Sequence, residues 1–229
     1  MVWTGSRAVL FGGGGVTHGL DPQLETFMMA RLRPAPRVGY VGMANDDNPE
    51  RLERVRRRFG ELGADLRHLP MAATAGEAQD WLTGLDAIYI GGGHTERMLR
   101  RWRETGIDNL LLEAARRGVL LSGVSAGAVC WFDSALWDGA GAGYRPLKGL
   151  GLFEGSCCPH FTTEPDRAAA YDRHLADGHI GDGYAIGDGA CLVLNGDGIA
   201  SAFVARPGSG VWRAQRTAEG ARFTPLPSA

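Results

Sequence analysis

A serine between two glycines is the strongest chemical signal in the sequence. Gly123-Val124-Ser125-Ala126-Gly127 has the spacing of a nucleophile elbow, a sharp strand-to-helix turn that lifts a serine hydroxyl above the sheet edge. It follows an apolar strand and precedes a helix-like stretch over residues 126–132. The backbone N–H of Ala126 would then lie at a helix N-terminus, where it suits an oxyanion. The alternative is a glycine-rich turn in which Ser125 only caps the helix.

A serine nucleophile needs a base, and the sequence offers six histidines. His160 stands in the apolar, proline-bounded segment 157–161, which can hold an imidazole rigidly at a strand end, so it is the predicted base. His94 follows the glycines 91–93 at the end of another apolar strand and should face the same sheet edge as Ser125. We interpret His94 as a substrate contact or a second candidate base. A glycine N–H of this turn is a candidate second oxyanion donor, and the alternative is a tight turn without a ligand.

The elements around these residues indicate an α/β fold. Apolar strands at the start of the chain alternate with helical patterns, and unalternated apolar strands separated by helices are typical of a parallel sheet covered on both faces. After Tyr184, the short apolar runs 190–194, 199–205 and 211–214 are separated by turn residues typical of hairpins. We therefore predict a three-layer, mainly parallel sheet between helices, with antiparallel C-terminal strands, in one domain over residues 1–229.

Composition excludes several classes of function. A formal net charge of −2 provides no broad basic field, which counts against a nucleic-acid partner. No apolar run approaches the roughly 18 residues of a membrane span, and the first ten residues lack a signal-peptide stretch. Four cysteines without C-x-x-C spacing predict free thiols in a reducing compartment. We expect a cytoplasmic protein that binds neither nucleic acid nor membrane.

Neither a metal nor another cofactor is expected. Cys157, Cys158 and His160 suggest a zinc site, but adjacent cysteines without a fourth ligand are poor zinc ligands. The glycines 12–15 suggest a dinucleotide-binding loop, but the final glycine that such a loop requires falls on Thr17 or His18.

Three short motifs together resemble the dipeptidase E branch of peptidase family S51, which includes the α-aspartyl dipeptidases and, more distantly, the cyanophycinases. They are Gly91-Gly92-Gly93-His94-Thr95, Gly123-Val124-Ser125-Ala126-Gly127-Ala128 and Pro159-His160-Phe161, whose order and spacing agree over roughly residues 80–195. The resemblance implies a fold like that of the class I glutamine amidotransferases. It implies Ser125 as nucleophile, His160 as general base and the backbone N–H groups of Gly93 and Ala126 as the oxyanion hole. Gly92 and His94 are expected beside the substrate.

The resemblance leaves two candidates for the acid that orients His160. Asp138, followed by Gly139, lies upstream of the histidine, and Asp188, between two glycines, lies downstream. We favour Asp188, because a turn after the apolar residues 184–186 places its carboxylate at a strand end. Asp138 would then shape the pocket. Either aspartate could instead be a turn residue that bonds its own backbone.

The substrate contacts are less determined by the sequence. Dipeptidase E usually has asparagine after the triple glycine, where this chain has His94, so a strict preference for an N-terminal aspartate is open. Arg145 is the candidate cationic partner for an aspartate side chain, and Glu164 is a candidate partner for a free α-amine, by charge alone.

The sequence thus predicts a serine peptidase that hydrolyses dipeptides or other very short peptides through an acyl-enzyme. Two alternatives stay open. One is a cyanophycinase-like hydrolase of isopeptide or β-aspartyl substrates, and the other is a non-catalytic binding protein on the same scaffold. A small peptide is the expected partner, and a homo-oligomer is compatible with the sequence.

Overall fold

Two β-sheets contain the strands of the described chain, which comprises residues 5–138, 141, 143–196 and 198–229 of a computed structural model. The strands are β1 (Ala8–Phe11), β2 (Arg37–Val41), β3 (Asp65–Leu69), β4 (Ala87–Ile90), β5 (Leu120–Val124), β6 (Phe132–Trp137), β7 (Arg145–Lys148), β8 (Phe153–Cys158), β9 (Gly183–Ile186), β10 (Ala190–Leu194), β11 (Ala200–Val204), β12 (Val211–Thr217) and β13 (Gly220–Pro225). The first sheet has the order β11-β10-β1-β5-β4-β2-β3, and the second has the order β13-β12-β9-β8-β6-β7.

Helices connect most of these strands. They are α1 (Gly15–His18), α2 (Gln23–Met29), a 3-10 turn (Met43–Asn45), α3 (Pro49–Glu61), α4 (Ala75–Trp81), α5 (Thr95–Thr105), α6 (Ile107–Arg116), α7 (Ala126–Val129) and α8 (Pro165–Ala176). Within the described ranges, none of these helices combines the length and apolar character that a bilayer crossing requires.

The first sheet has the predicted parallel core. Strands β1, β5, β4, β2 and β3 are parallel to their neighbours, and β10 and β11 add to β1 as an antiparallel pair. Successive residues of β4 alternate between two apolar cores: Tyr89 packs with α2 and α3 on one face, and Ile90 packs with α5 and α6 on the other. The predicted α/β class, with helices on both faces and antiparallel C-terminal strands, is confirmed.

The described strands form two sheets, whereas the sequence predicted one. In the second sheet, β6, β8 and β9 are parallel, and β7, β12 and β13 are antiparallel to their neighbours. The turn over 195–198, of which Asp197 lies outside the described residues, does connect the antiparallel pair β10 and β11. The second predicted hairpin is wrong, because the turn over 207–210 leads β12 into the second sheet, where it pairs with β9. Turn residues specify a chain reversal, not the strand that pairs after it.

All four cysteines are free and buried. Burial raises the pKa of the Cys158 thiol to about 12 and that of Cys157 well above its usual value. Both side chains are therefore neutral thiols at physiological pH, and they pack as small apolar groups.

The carboxyl group of Glu25, on α2, lies inside the core with none of its surface exposed. Its Oε1 accepts hydrogen bonds from the Val16 backbone N–H at 2.8 Å and from the Tyr89 hydroxyl at 3.5 Å. Burial raises the pKa of Glu25 from 4.5 to about 7, although these hydrogen bonds and the charge of Arg58 oppose the shift. Ionisation of Glu25 is therefore costly in the folded state.

Glu25→Gln should make the stability of the protein less dependent on pH. Because the folded-state pKa is raised, the stability contributed by the protonated carboxyl is complete below pH 4.5 and is lost as the pH rises through about 7. Glutamine keeps the acceptor for Val16 and cannot ionise. We expect the free energy of unfolding to rise by up to about 3 kcal/mol at pH 8 and to change little at pH 4. Urea unfolding at both pH values measures this.

The exposed Glu61, substituted as Glu61→Gln, is the matched control and should show no such pH dependence. An equal stability change for Glu25→Gln at pH 4 and pH 8 would contradict the assignment of a raised pKa to Glu25.

Candidate active site

The backbone around Ser125 forms the predicted strand-turn-helix. Ser125 follows β5 with φ +53° and ψ −111°, a positive-φ conformation that is costly for a residue with a side chain. A Cβ atom on Gly127 would run into the carbonyl of Ile90, so only glycine fits there. The helix that follows is shorter than the predicted span of residues 126–132, because β6 already begins at Phe132.

Three predicted residues meet in one hydrogen-bonded line. The Nε2 atom of His160 lies 2.9 Å from the Ser125 hydroxyl, and its Nδ1 atom lies 2.7 Å from Oδ1 of Asp188. His160 follows β8 with φ +53°, and its carbonyl accepts hydrogen bonds from the N–H groups of Thr163 and Glu164 at 3.1 and 2.9 Å. Hydrogen bonds to its backbone carbonyl therefore fix the position of His160, and hydrogen bonds to both ring nitrogens fix the orientation of its imidazole.

Asp188 occupies the turn at which the chain passes from β9 in the second sheet to β10 in the first. Its N–H donates to the hydroxyl of Thr162 at 3.3 Å, and the following N–H, of Gly189, donates to the Gly13 carbonyl at 3.0 Å. Burial raises the pKa of the Asp188 carboxyl, but the hydrogen bond and charge of His160 outweigh it, so the pKa lies below its usual value. An ionised carboxylate thus faces the imidazole.

Asp138, the other candidate acid, lies on the wall of the cavity in front of Ser125 and is exposed. Both ring nitrogens of His160 are already engaged, one by Ser125 and one by Asp188. The position that orients the imidazole is therefore filled by Asp188, and Asp138 lies on the cavity wall instead.

A cavity of about 270 Å³ opens at the Ser125 hydroxyl. Five of the ten predicted site residues line it; the other five, His160, Asp188, Gly92, Arg145 and Glu164, lie outside its lining. Its walls are formed by Gly93, His94, Thr95, Ser125, Ala126, Val129, Leu136, Trp137, Asp138, Pro159 and Arg167. Gly92 lies behind this wall, where a Cβ atom would be 3.4 Å from that of Ser125.

The cation in the cavity is Arg167, which sequence reasoning missed. The predicted cation, Arg145, is exposed and lies over the Trp137 ring, with its guanidinium carbon 5.3 Å from the ring centroid. The Nε atom of Arg167 donates to Glu164 at 2.6 Å, and Glu164 also accepts from the Tyr144 hydroxyl at 3.1 Å. Glu164 therefore holds an arginine in place. The one signal in the sequence that could have indicated Arg167 is the i,i+3 spacing between Glu164 and Arg167, shortly after His160.

Arg167 keeps its charge although its side chain is only 14% exposed. Burial lowers the pKa of the guanidinium, but the hydrogen bond and charge of Glu164 raise it above its usual value. Its guanidinium also lies over the Tyr144 ring, 4.9 Å from the centroid. Of the five N–H donors of an arginine, Nε serves Glu164 and Nη1 reaches the Leu136 carbonyl at 3.5 Å, which leaves others for a ligand.

His94 caps helix α5. Its Nδ1 atom accepts a hydrogen bond from the Arg97 backbone N–H at 3.2 Å, and its ring lies 5.6 Å from that of Trp137. Because Nδ1 is the acceptor in this contact, a ring hydrogen lies on Nε2. His94 thus forms part of the cavity wall, and the Ser125 hydroxyl is bonded to His160 instead.

Gly93 and Ala126 line the cavity together with Ser125. Gly93 has φ +149°, and a Cβ atom there would run into the carbonyl of Ala44, so the position requires glycine. Ala126 is the first residue of α7, whose N–H has no acceptor within the helix. The pair stays the predicted oxyanion hole, and with the Ser-His-Asp line it makes a site suited to acyl transfer.

A metal site does not emerge from the described residues, which contain no group of three or more histidine, cysteine, aspartate or glutamate side chains arranged to hold an ion. Cys157 and Cys158 are buried as thiols behind His160.

Comparison with known proteins identifies the family. The family profile described as Peptidase family S51 matches residues 8–202. The chain belongs to peptidase family S51. It is thus a serine-type peptidase, and the resemblance drawn from the three sequence motifs is confirmed.

Individual relatives agree with this membership. The "Uncharacterized peptidase YgaJ" of Bacillus subtilis (strain 168) is 32% identical over 224 residues, which cover 96% of this chain and 97% of that protein. Peptidase E of Streptomyces coelicolor (strain ATCC BAA-471 / A3(2) / M145) is 30% identical over 122 residues, 53% of this chain and 47% of that protein. A crystal structure of a peptidase from an acI-B1 Actinobacterium has a TM-score of 0.74, with 98% of this chain and 95% of that chain covered, at 15% identity. At this identity the likeness shows a shared fold.

His94→Asn should preserve the stability of the protein, and His94→Ala should reduce it. Asparagine is a good helix N-cap and can accept the Arg97 N–H as the imidazole does, whereas alanine leaves that donor without its side-chain acceptor. We expect His94→Asn to lie within about 0.5 kcal/mol of the parent and His94→Ala to lose about 1 kcal/mol in urea unfolding. Thr74→Ala, which removes the cap of α4, is the matched control with a similar loss. A fully stable His94→Ala variant would contradict a capping role.

Proposed function

We propose that this S51 peptidase hydrolyses dipeptides and very short peptides that carry an acidic N-terminal residue. The observation that carries the proposal is the line from Ser125 through His160 to Asp188, beside a small cavity lined by one half-buried arginine, Arg167. The line supplies a nucleophile with its base, and Arg167 supplies a partner for an acidic side chain.

In this mechanism the Ser125 oxygen attacks the carbonyl carbon of the scissile peptide, and Nε2 of His160 takes the hydroxyl proton. Asp188 holds the imidazole and stabilises its charged form. The negative charge that develops on the carbonyl oxygen is met by the N–H groups of Gly93 and Ala126. As the C–N bond breaks, His160 returns the proton to the leaving amine. Water, deprotonated by His160, then hydrolyses the ester on Ser125 and releases the acid.

The size of the cavity favours a short substrate. Its volume of about 270 Å³ lies just below the roughly 300–1,000 Å³ of pockets that enclose drug-sized ligands. Such a space accommodates one amino-acid residue on the acyl side of the scissile bond. Trp137 and Leu136 contribute large apolar side chains to its wall.

The charges on the cavity wall favour an acidic residue with a free amine. Arg167 is sheltered from water, and a guanidinium in such a place binds a carboxylate through charge-assisted hydrogen bonds. Asp138, on the same wall, provides the negative charge for an α-ammonium group. These two residues replace Arg145 and Glu164 as the proposed substrate contacts, because Arg167 and Asp138 line the cavity, whereas Arg145 and Glu164 do not.

A dipeptide panel tests the proposed function. We expect hydrolysis of Asp-X and Glu-X, weak hydrolysis of Leu-X, and at least about a 10³-fold loss of kcat in a folded Ser125→Ala variant. Product analysis identifies the bond that is cleaved. Cleavage confined to β-Asp-X would favour a cyanophycinase-like isopeptide hydrolase instead. Absence of any cleavage by the folded parent would favour a binding protein.

Arg167→Met should change the substrate preference. Removing the guanidinium takes away the proposed partner of the acidic side chain, so kcat/KM for Asp-X should fall by about 10²-fold, whereas that for Leu-X should fall far less. Arg145→Met is the matched control, because its guanidinium is exposed outside the cavity, and it should stay within about threefold of the parent. Equal losses on Asp-X and Leu-X in Arg167→Met, or a larger effect of Arg145→Met, would contradict the assignment.

A further inference from the structure

Two side chains from outside the cavity lining hold the carbonyl of Gly92. The Nδ2 atom of Asn45 donates to this carbonyl at 3.2 Å, and the Nη1 atom of Arg51 donates to it at 3.4 Å. Asn45 ends the 3-10 turn after β2, and Arg51 lies in the first turn of α3. Neither residue lines the cavity, and the mechanism above assigns neither a role.

The Gly92 carbonyl belongs to the same peptide unit as the N–H of Gly93. Because a trans peptide is planar, its C=O and N–H point in opposite directions, so two donors that fix the carbonyl also fix the direction of the N–H. Gly92 lies against the elbow, and Gly93 forms part of the cavity wall beside Ser125. The held carbonyl therefore fixes the direction of an N–H whose residue, Gly93, lines the cavity together with Ser125.

The next peptide unit is held by the same 3-10 turn. The His94 N–H donates to the Ala44 carbonyl at 2.7 Å, so residues 44 and 45 secure the peptide units on both sides of Gly93. Gly93 has φ +149°, and a glycine can adopt many other conformations. These two hydrogen bonds therefore help to hold it in this one.

The donors themselves are oriented by a short network. The Oδ1 atom of Asn45 accepts the Asn48 N–H at 3.1 Å, which turns the Nδ2 atom toward Gly92. Asn48 in turn caps α3 by accepting the Arg51 N–H at 3.0 Å. The glycine turn is thus braced by a rigid segment of β2, the 3-10 turn and the start of α3.

We propose that Asn45 and Arg51 are positioning residues for the oxyanion hole, acting through the Gly92–Gly93 peptide. The charged guanidinium also polarises this peptide, which makes its N–H a stronger donor as negative charge develops on the substrate carbonyl. This inference rests on the proposed function, since it presupposes attack by Ser125.

Three variants test the role through kcat. Asn45→Asp keeps the acceptor for Asn48 but turns a second acceptor toward the Gly92 carbonyl. Arg51→Met removes a donor without adding negative charge. Arg51→Lys keeps a charged donor. Because loss of an oxyanion donor costs about 10²–10³-fold in kcat, misorientation should cost about 10–100-fold with KM within about threefold. Arg51→Lys should be closer to the parent than Arg51→Met. Arg57→Met, exposed on the same helix, is the control without effect.

Inhibitor affinity separates positioning from a merely structural role. An Asp-derived peptide aldehyde forms a tetrahedral adduct that needs the oxyanion hole, whereas a reduced-amide dipeptide has no carbonyl oxygen to place there. We expect aldehyde affinity to fall by about the same factor as kcat in Asn45→Asp and Arg51→Met, and reduced-amide affinity to stay unchanged. Equal weakening of both inhibitors, or parental kcat and aldehyde affinity in both folded variants, would overturn the inference.

The failure of the proposed function would look different. In that case the parent itself would cleave no peptide of the panel, and this inference would fall with it. If the parent cleaves the panel, Ser125→Ala does not, and both Asn45→Asp and Arg51→Met match the parent, only the positioning role is refuted. Thermal unfolding of each variant establishes that it is folded.

Discussion

The His160 imidazole is hydrogen-bonded to two residues from different parts of the fold, Ser125 and Asp188. These two hydrogen bonds place the site at the junction of the two sheets. Ser125 ends β5 of the first sheet, His160 follows β8 of the second, and Asp188 lies in the turn that passes from one sheet to the other. The 2.7 and 2.9 Å contacts therefore require both sheets to be in register. A small change in how the sheets pack would separate the nucleophile from its base before it disturbed either sheet alone.

The packing around this junction holds two residues in strained backbone conformations. Ser125 and His160 both have φ +53°, a conformation that costs of order 1–3 kcal/mol for a residue with a side chain. The strands that precede them, β5 and β8, are largely or fully buried and hydrogen-bonded on both sides, which over-determines the turns. The same reasoning applies to Gly93, whose peptide neighbours are fixed by residues 44, 45 and 51.

Short-range chemistry explains which features could be predicted from the sequence. The elbow requires glycines at fixed offsets, and β1 and β4 are continuously apolar, so the Ser125 turn and the parallel sheet were both recognisable. Arg167 was not, because its approach to the cavity depends on how α8 packs against the second sheet. That sheet was itself missed, since a Gly-rich turn does not specify the partner of the next strand. One domain over residues 1–229, a cytoplasmic location and a homo-oligomer stay predictions.

Labelling with an Asp-derived peptide phosphonate, followed by peptide mapping, tests the central claim that Ser125 is a nucleophile activated through His160 by Asp188. The account predicts one covalent adduct on Ser125. Its rate of formation should fall by at least about 10²-fold in Asp188→Asn and stay within about threefold of the parent in Asp138→Asn, because only Asp188 bonds the imidazole. A folded parent that forms no adduct, or an adduct whose rate depends on Asp138 and not on Asp188, would contradict it.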